Sequence, residues 1–226
     1  MTAGRDAGEK ASGRGARTRD AIVDAALRLF NEGGTAKATT NHIAAAAGIS
    51  PGNLYYHFRN KEEIVRAAYG RFGEAADELL APPGTLPDGP DAIAGLLRRY
   101  AAGTFQILSR YRVFFEDMAE LCRRDPDLAA DLSATQRRFV ANLRGLLGTL
   151  RQGGLVVPGT DDATLALLAD NVWLVARGWM EFANNSGEGW NQDEAVRRGV
   201  VHILALVRPH LSGEGRAALD RVLTEG

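Results

Sequence analysis

Residues 39–61 read Thr39-Thr40-Asn41-His42-Ile43-Ala44-Ala45-Ala46-Ala47-Gly48-Ile49-Ser50-Pro51-Gly52-Asn53-Leu54-Tyr55-Tyr56-His57-Phe58-Arg59-Asn60-Lys61. The spacing predicts two short helices joined by a tight turn. Thr39 or Thr40 supplies a side-chain oxygen for the exposed N–H groups at the start of the first helix. Its four consecutive alanines are small enough to let another helix cross closely, and Gly48 accepts the left-handed conformation that ends helices. Ser50 then caps a second helix, with Pro51 at the first position, where a missing N–H is harmless. Ile43, Ile49 and Leu54 fall where side chains turn inward. Asn53, Tyr55, Tyr56 and His57 crowd a helix too short to bury them all. An exposed face of amide, phenol and imidazole groups beside Arg59 and Lys61 suits a DNA major groove, the helix-turn-helix arrangement.

Working outward, Thr18 to Glu32 places Ile22, Ala25, Ala26, Leu29 and Phe30 on one stripe and stops at Gly33-Gly34, a first helix to support the pair. A further helix is expected over about 61–80. Its direct departure from the three-helix head would pass movement of the body to that head. Pro82, Pro83, Pro87 and Pro90 mark a break over 81–89. Helices are then expected at about 90–109, 110–123, 126–152, 161–185, 191–210 and 213–224. No alternating strand pattern or Asn-Gly hairpin competes with them. The fold class is all-α with two domains: a three-helix DNA-binding head with a helix-turn-helix, and a larger helical domain.

The chain of 226 residues has a net charge of −1, which on its own speaks against a nucleic-acid partner. Its distribution does not: residues 1–61 hold nine Lys and Arg against five Asp and Glu, a net +4, leaving −5 for the rest. A basic front on an acidic body suits one end that meets phosphates. The first 16 residues, rich in Gly, Ala and Arg and without an apolar run, are read as a disordered basic arm rather than a targeting segment. No segment has the uninterrupted apolar length of a membrane helix. The single cysteine, Cys122, excludes an internal disulfide, suits a reducing cytoplasm, and is read as a small apolar side chain.

Enzyme chemistry finds no support. His42, His57, His202 and His210 lack His-x-x-x-His or Glu-x-x-His spacing, so no metal site is expected, and no Gly-rich phosphate loop or activated nucleophile is present. No cofactor is implied. A helical protein-binding module that uses the helix-turn-helix as scaffold is the competing class. It predicts DNA binding without the steep salt dependence expected of a regulator.

Over residues 17–65 the chain resembles the tetracycline-repressor (TetR) family of bacterial transcription regulators, chiefly in the string Gly52-Asn53-Leu54-Tyr55-Tyr56-His57-Phe58 followed by Lys61-Glu62. The resemblance implies a helix-turn-helix domain over 17–62 and a helical effector-binding and dimerisation domain over 63–226. It implies that Thr40, Tyr56, His57 and Lys61 contact phosphates, which fixes position without reading sequence. Ser50, Gly52, Asn53 and Tyr55 come near base edges, with Pro51 a departure that offers only apolar contact where relatives often carry Lys, Thr or Arg.

In the larger domain two apolar stripes stand out, Leu165, Leu168, Ala169, Val172, Trp173, Ala176, Trp179 and Met180, then Val196, Gly199, Val200, Ile203, Leu206 and Val207. By resemblance the two helices form a four-helix bundle in a homodimer, with Leu165, Val172, Trp179, Val196, Val200, Ile203 and Val207 at the interface. Two heads about 34 Å apart would read a palindromic operator. The resemblance also implies a pocket for an unknown small, mostly apolar effector, lined by a subset of the large side chains: Tyr100, Phe105, Phe115, Met118, Phe139 and Trp173. Arg177, or Asn142 or Asn171, would be a polar anchor, and Glu181 a partner for Arg177. The expected protein is a cytoplasmic, nucleoid-associated repressor released by ligand, although activators share the architecture.

Overall fold

The computed structural model describes residues 3–224, with side chains described from Arg14 onward apart from those of Met118 and Asn184. Among these residues eleven α-helices follow one another: α1 (Ala3–Gly33), α2 (Thr40–Ala46), α3 (Pro51–His57), α4 (Lys61–Leu80), α5 (Pro90–Arg110), α6 (Val113–Glu116), α7 (Met118–Arg124), α8 (Pro126–Gln152), α9 (Asp162–Asn185), α10 (Gln192–Val207) and α11 (Gly213–Thr224). No strand occurs among the described residues, and the nearest approach to one is an isolated bridge between Val156 and Leu211. The all-α expectation holds. None of the described helices is long and apolar enough to cross a membrane.

Most helix ends fall where the sequence places them, but three do not. The arm expected to be disordered over 1–16 is instead helical from Ala3, so that α1 begins well ahead of Thr18; the side chains of residues 1–13 lie outside the described ones. The helix expected over 191–210 ends at Val207 and tightens into a 3₁₀ turn, Arg208–His210, because Pro209 has no N–H to continue it. The single helix expected over 110–123 breaks at Tyr111-Arg112 and again at Asp117, leaving the short α6 and α7.

The chain forms two compact units, and the boundary falls inside α4. The first contains residues 1–72 together with 113–129, the second residues 73–112 with 130–226. The first unit thus extends past residue 62, where the sequence places the end of the head, and draws in a segment from the middle of the chain. Its core joins Ile22, Ala26 and Phe30 of α1 to Ile43, Leu54, Phe58, Ile64 and Ala68, all essentially sealed from solvent. Tyr69 packs edge-on against Phe114 at 5.1 Å, and Phe72 against Phe115 at 5.5 Å, so α6 is bound by aromatic contacts to α4. Arg66 pairs at 2.5 Å with the buried Asp125, which also caps α8 by accepting from Leu128 N–H at 3.2 Å.

In the second unit, α5 and α10 contact each other, and both contact α9. Phe105, Leu108, Ala169, Ala176, Leu204 and Leu219 are buried there. Gly199 is required by this packing: a Cβ on it would lie 2.6 Å from Phe105 Cζ and 2.6 Å from Trp179 Cδ1.

Candidate nucleic-acid interface, apolar cavity and exposed helical face

The turn between α2 and α3 is built from the residues that signal it. Thr39 Oγ1 accepts from His42 N–H at 3.2 Å, which settles the cap on Thr39 and makes Thr40 the first helical residue. At the other end Gly48 has φ +68°, and the N–H groups of Gly48 and Ile49 return to the carbonyls of Ala45 and Ala44. That pairing is the Schellman closure of a helix, and it needs the left-handed residue that glycine supplies. Two residues later Ser50 Oγ accepts from Asn53 N–H at 3.2 Å and starts α3.

Leu54 points into the core, and α3 presents its other side to solvent: Pro51, Gly52, Asn53, Tyr55 and Tyr56 are exposed, with Tyr56 at 84%. Thr40 and Tyr55, expected on different tasks, meet directly, their hydroxyls 3.0 Å apart. This bond ties the first turn of α2 to the outer face of α3. Tyr56 touches the His57 ring edge-on at 5.2 Å. Arg19 of α1 closes the end of α3, donating to the His57 carbonyl at 3.0 Å with its guanidinium 4.0 Å over the Phe58 ring.

Lys61, expected to be a plain phosphate contact, is half-buried and donates from Nζ to the Thr35 carbonyl at 2.9 Å. An ammonium has three donors, so this bond anchors the side chain and leaves others for an anion. Arg59, the other basic flank noted in the sequence, follows α3 and is 90% exposed, open to an anion although no contact was assigned to it. Glu63 accepts from Arg59 N–H at 2.8 Å, and Asn60 Oδ1 accepts from Glu63 N–H at 2.9 Å, a reciprocal cap that starts α4.

The large side chains expected around an effector are mostly filling rather than lining. The second unit holds an apolar cavity of about 70 Å³, lined mainly by Leu80, Leu97, Leu143, Leu146, Leu147 and Leu150 together with the small Ala101, Ala169 and Ala176. Among the described side chains of the expected set, Tyr100 alone lines it. Its phenol is already committed to the Ala81 carbonyl at 2.8 Å, and the other lining hydroxyl, Thr104, donates to the Tyr100 carbonyl at 2.7 Å. Phe139 and Trp173 instead pack on each other at 4.5 Å, Phe105 is closed around Gly199, and Phe115 belongs to the first unit. Arg177 is exposed, which removes it as a buried anchor, and the side chain of Met118 lies outside the described ones.

The expected dimer residues divide in the same way. Leu165, Val172, Trp179 and Ile203 are buried within their own chain, and Val172, Ile203 and Val207 line the cavity. Val196 and Val200 are half-buried and line an open groove with Val201 and Leu223. The most exposed large apolar side chains of these two helices are Leu167, Leu174 and Phe182 on α9, at 61%, 62% and 61%, and Val201 on α10, at 50%, which also lines that groove. Spacings of seven and eight residues put the three α9 side chains on one stripe. Phe182 and His202 both contact Trp179, at 5.6 and 4.3 Å between ring centroids, which brings the two helices together at this edge.

With that geometry in place, comparison with known proteins is specific. Residues 22–68 match the family model described as bacterial regulatory proteins, tetR family, and residues 71–219 match the one described as bacterial transcriptional repressor. The chain belongs to the TetR family. The HTH-type transcriptional regulator TtgR of Pseudomonas putida is 31% identical over 159 residues, 67% of this chain and 74% of that protein. A TetR-family regulator from Marinobacter aquaeolei VT8 has a crystal structure that superposes with a TM-score of 0.78 at 34% identity, over 92% of this chain and 96% of that one. SmeT, the repressor of the Stenotrophomonas maltophilia multidrug efflux pump SmeDEF, shares the fold with a TM-score of 0.60 at 24% identity, over 86% of this chain and 91% of its own. SmeT has also been solved in complex with triclosan. This TetR-family chain is therefore a DNA-binding transcriptional regulator with a helix-turn-helix, and not an enzyme. Among the described residues no group of His, Cys, Asp and Glu is arranged to hold a metal ion.

Proposed function

We propose that the protein is a homodimeric repressor that acts in the bacterial cytoplasm, binds a palindromic operator and leaves it when a small apolar effector binds. The observation that carries this reading is α3: locked at its start by Ser50, held from below by Leu54, and exposed along Asn53, Tyr55 and Tyr56. A helix so fixed and so exposed is suited to the major groove. In this reading Asn53, with an amide that donates and accepts, and Ser50, Gly52 and Tyr55 read base edges, and Pro51 touches a thymine methyl. Thr40, Tyr56, His57 and Lys61 hold phosphates.

Residues 17–62 carry DNA reading in this assignment, and residues 63–226 carry effector binding and dimerisation. The second copy covers Leu167, Leu174, Phe182 and Val201, whose exposure leaves an apolar stripe without an occupant in the single chain. The effector enters the leucine-lined cavity, whose lining hydroxyls are already paired, so the reading calls for a ligand that asks for few hydrogen bonds. The relation of SmeT to triclosan supports an apolar aromatic as the first probe.

Selection of bound duplexes from a random pool tests the reading, followed by titration of the enriched site at two salt concentrations with wild type and Tyr56→Ala. A palindrome lost at high salt and weakened by the substitution supports it. Absence of enrichment, with binding indifferent to Tyr56, would instead favour a protein-binding module.

A further inference from the structure

Thr35 lies in the turn that delivers the chain from α1 to α2, four residues ahead of the α2 cap, and it is 6% exposed. All of its polar groups are gripped. Its N–H and its hydroxyl both donate to Asp117 Oδ2, each at 2.8 Å, and its carbonyl accepts from Lys61 Nζ at 2.9 Å. Gly34, at φ +78°, turns the chain so that this carboxylate fits against it: a Cβ there would lie 3.4 Å from Asp117 Oδ2. A second bond runs alongside, from Val113 N–H to Asn31 Oδ1 at 3.2 Å.

Asp117 is set apart by what it does not do. It stands at the N-cap of α7, where aspartate ordinarily accepts from its own helix, yet it makes no capping bond and interrupts the helix between Glu116 and Met118. Its acceptor is turned instead onto a turn 82 residues away in sequence. The chain gives up a local bond to fix the entry to the helix-turn-helix.

We propose that Asp117 is a positioning residue for sequence reading. Through Thr35 it sets the angle at which α2 leaves α1, and, through the Thr40–Tyr55 bond, the placement of α3 against base edges. The inference rests on the DNA-reading role of α3. Misplacing α3 loses base contacts before it loses phosphate attraction, because base edges demand geometry and phosphates mainly charge. The readout is therefore the ratio of operator to non-operator affinity, which a general loss of folded protein does not move.

The test uses the full chain, the enriched operator, a scrambled duplex of equal length, and wild type beside Asp117→Ala, Thr35→Val and Thr35→Ser, each titrated to count active protein. Loss of both Thr35 bonds to this carboxylate at each head predicts operator affinity at least about tenfold lower for Asp117→Ala, with scrambled-duplex affinity changed less than about twofold. Thr35→Val, which keeps the N–H and removes the hydroxyl, should move the ratio in the same direction by about threefold, and Thr35→Ser should retain it. If Asp117→Ala does not fold, the Val and Ser pair decides the matter alone. Equal losses on both duplexes, or an unchanged ratio, overturn the proposal while leaving the operator reading intact. A wild type that prefers no duplex overturns both.

Discussion

Removing a single oxygen at Tyr56 separates folding from DNA binding more cleanly than any other change in the head. The side chain is 84% exposed and, among the described residues, its hydroxyl has no hydrogen-bond partner within the chain. Its ring touches His57 edge-on, and Tyr56→Phe preserves that contact. Exposed substitutions away from caps and cores change stability by less than about 0.5 kcal/mol, so the thermal midpoint should move by no more than a few degrees. A hydrogen bond to a charged acceptor is worth about 1.5 kcal/mol at the low end of its range. A dimer loses the bond at both heads, about 3 kcal/mol in all, and at 1.4 kcal/mol per decade operator affinity should fall roughly a hundredfold. The phenol is uncharged, so the slope of log affinity against log salt should stay where it is. Fluorescence anisotropy of a labelled operator at several salt concentrations, beside a thermal melt, supplies both numbers. A loss below about threefold at unchanged stability would mean that Tyr56 touches no phosphate, and the orientation assigned to α3 would be wrong.

Other expectations follow from equally local geometry. Lys61→Gln should weaken operator and scrambled duplex alike and reduce the salt slope by about one per head, read in the same titrations. Leu174→Glu places a charge in the middle of the exposed α9 stripe and should give a folded monomer by sedimentation, where the proposed assembly makes the wild type a dimer. Gly199→Ala would ordinarily favour a helix by about 0.5–1 kcal/mol. Here the new Cβ meets Phe105 and Trp179 well inside contact distance, so chemical denaturation should report a net loss of about 1–3 kcal/mol.

The helix-turn-helix was legible because each of its parts has a local chemical signature: a hydroxyl cap at Thr39, a glycine at 48, a second cap at Ser50 and a proline at 51. Such signals act over three or four residues and survive without knowledge of the rest of the fold. Asp117 is different. Its apolar neighbours continue a helical period through 110–123, and the reason for the break is Thr35, which periodicity within one helix does not register. On α9 the sequence carries two apolar faces. The wider one, with Leu165, Val172 and Trp179, fills the chain's own core, and the sparse one, Leu167, Leu174 and Phe182, reaches solvent. Width marks the face that the chain buries on itself, and leaves the sparse face as the one free to meet a second copy. The aromatic residues misled in a related way: large rings close space, whereas a void is left where short side chains such as Ala101, Ala169 and Ala176 face one another.

The size of that void bears on how an effector could act. Ligand pockets for drug-sized molecules typically measure about 300–1,000 Å³, and a cavity of about 70 Å³ lined by leucine and alanine is far smaller. An effector of ordinary size that used this cavity would have to separate the helices that line it, α4, α5, α8, α9, α10 and α11. An enlarged form favoured by ligand and a closed form favoured by operator would be coupled by their differential affinities and by nothing else. Filling the cavity tests this. Ala176→Val adds two methyl groups at a fully buried lining position, and volume that a void can absorb leaves stability within about 1.5 kcal/mol. The variant should bind operator as the wild type does and lose its response to any apolar effector that releases the wild type. A variant that is still released at unchanged effector concentration would place the effector outside the leucine cavity and remove expansion as the basis of the response.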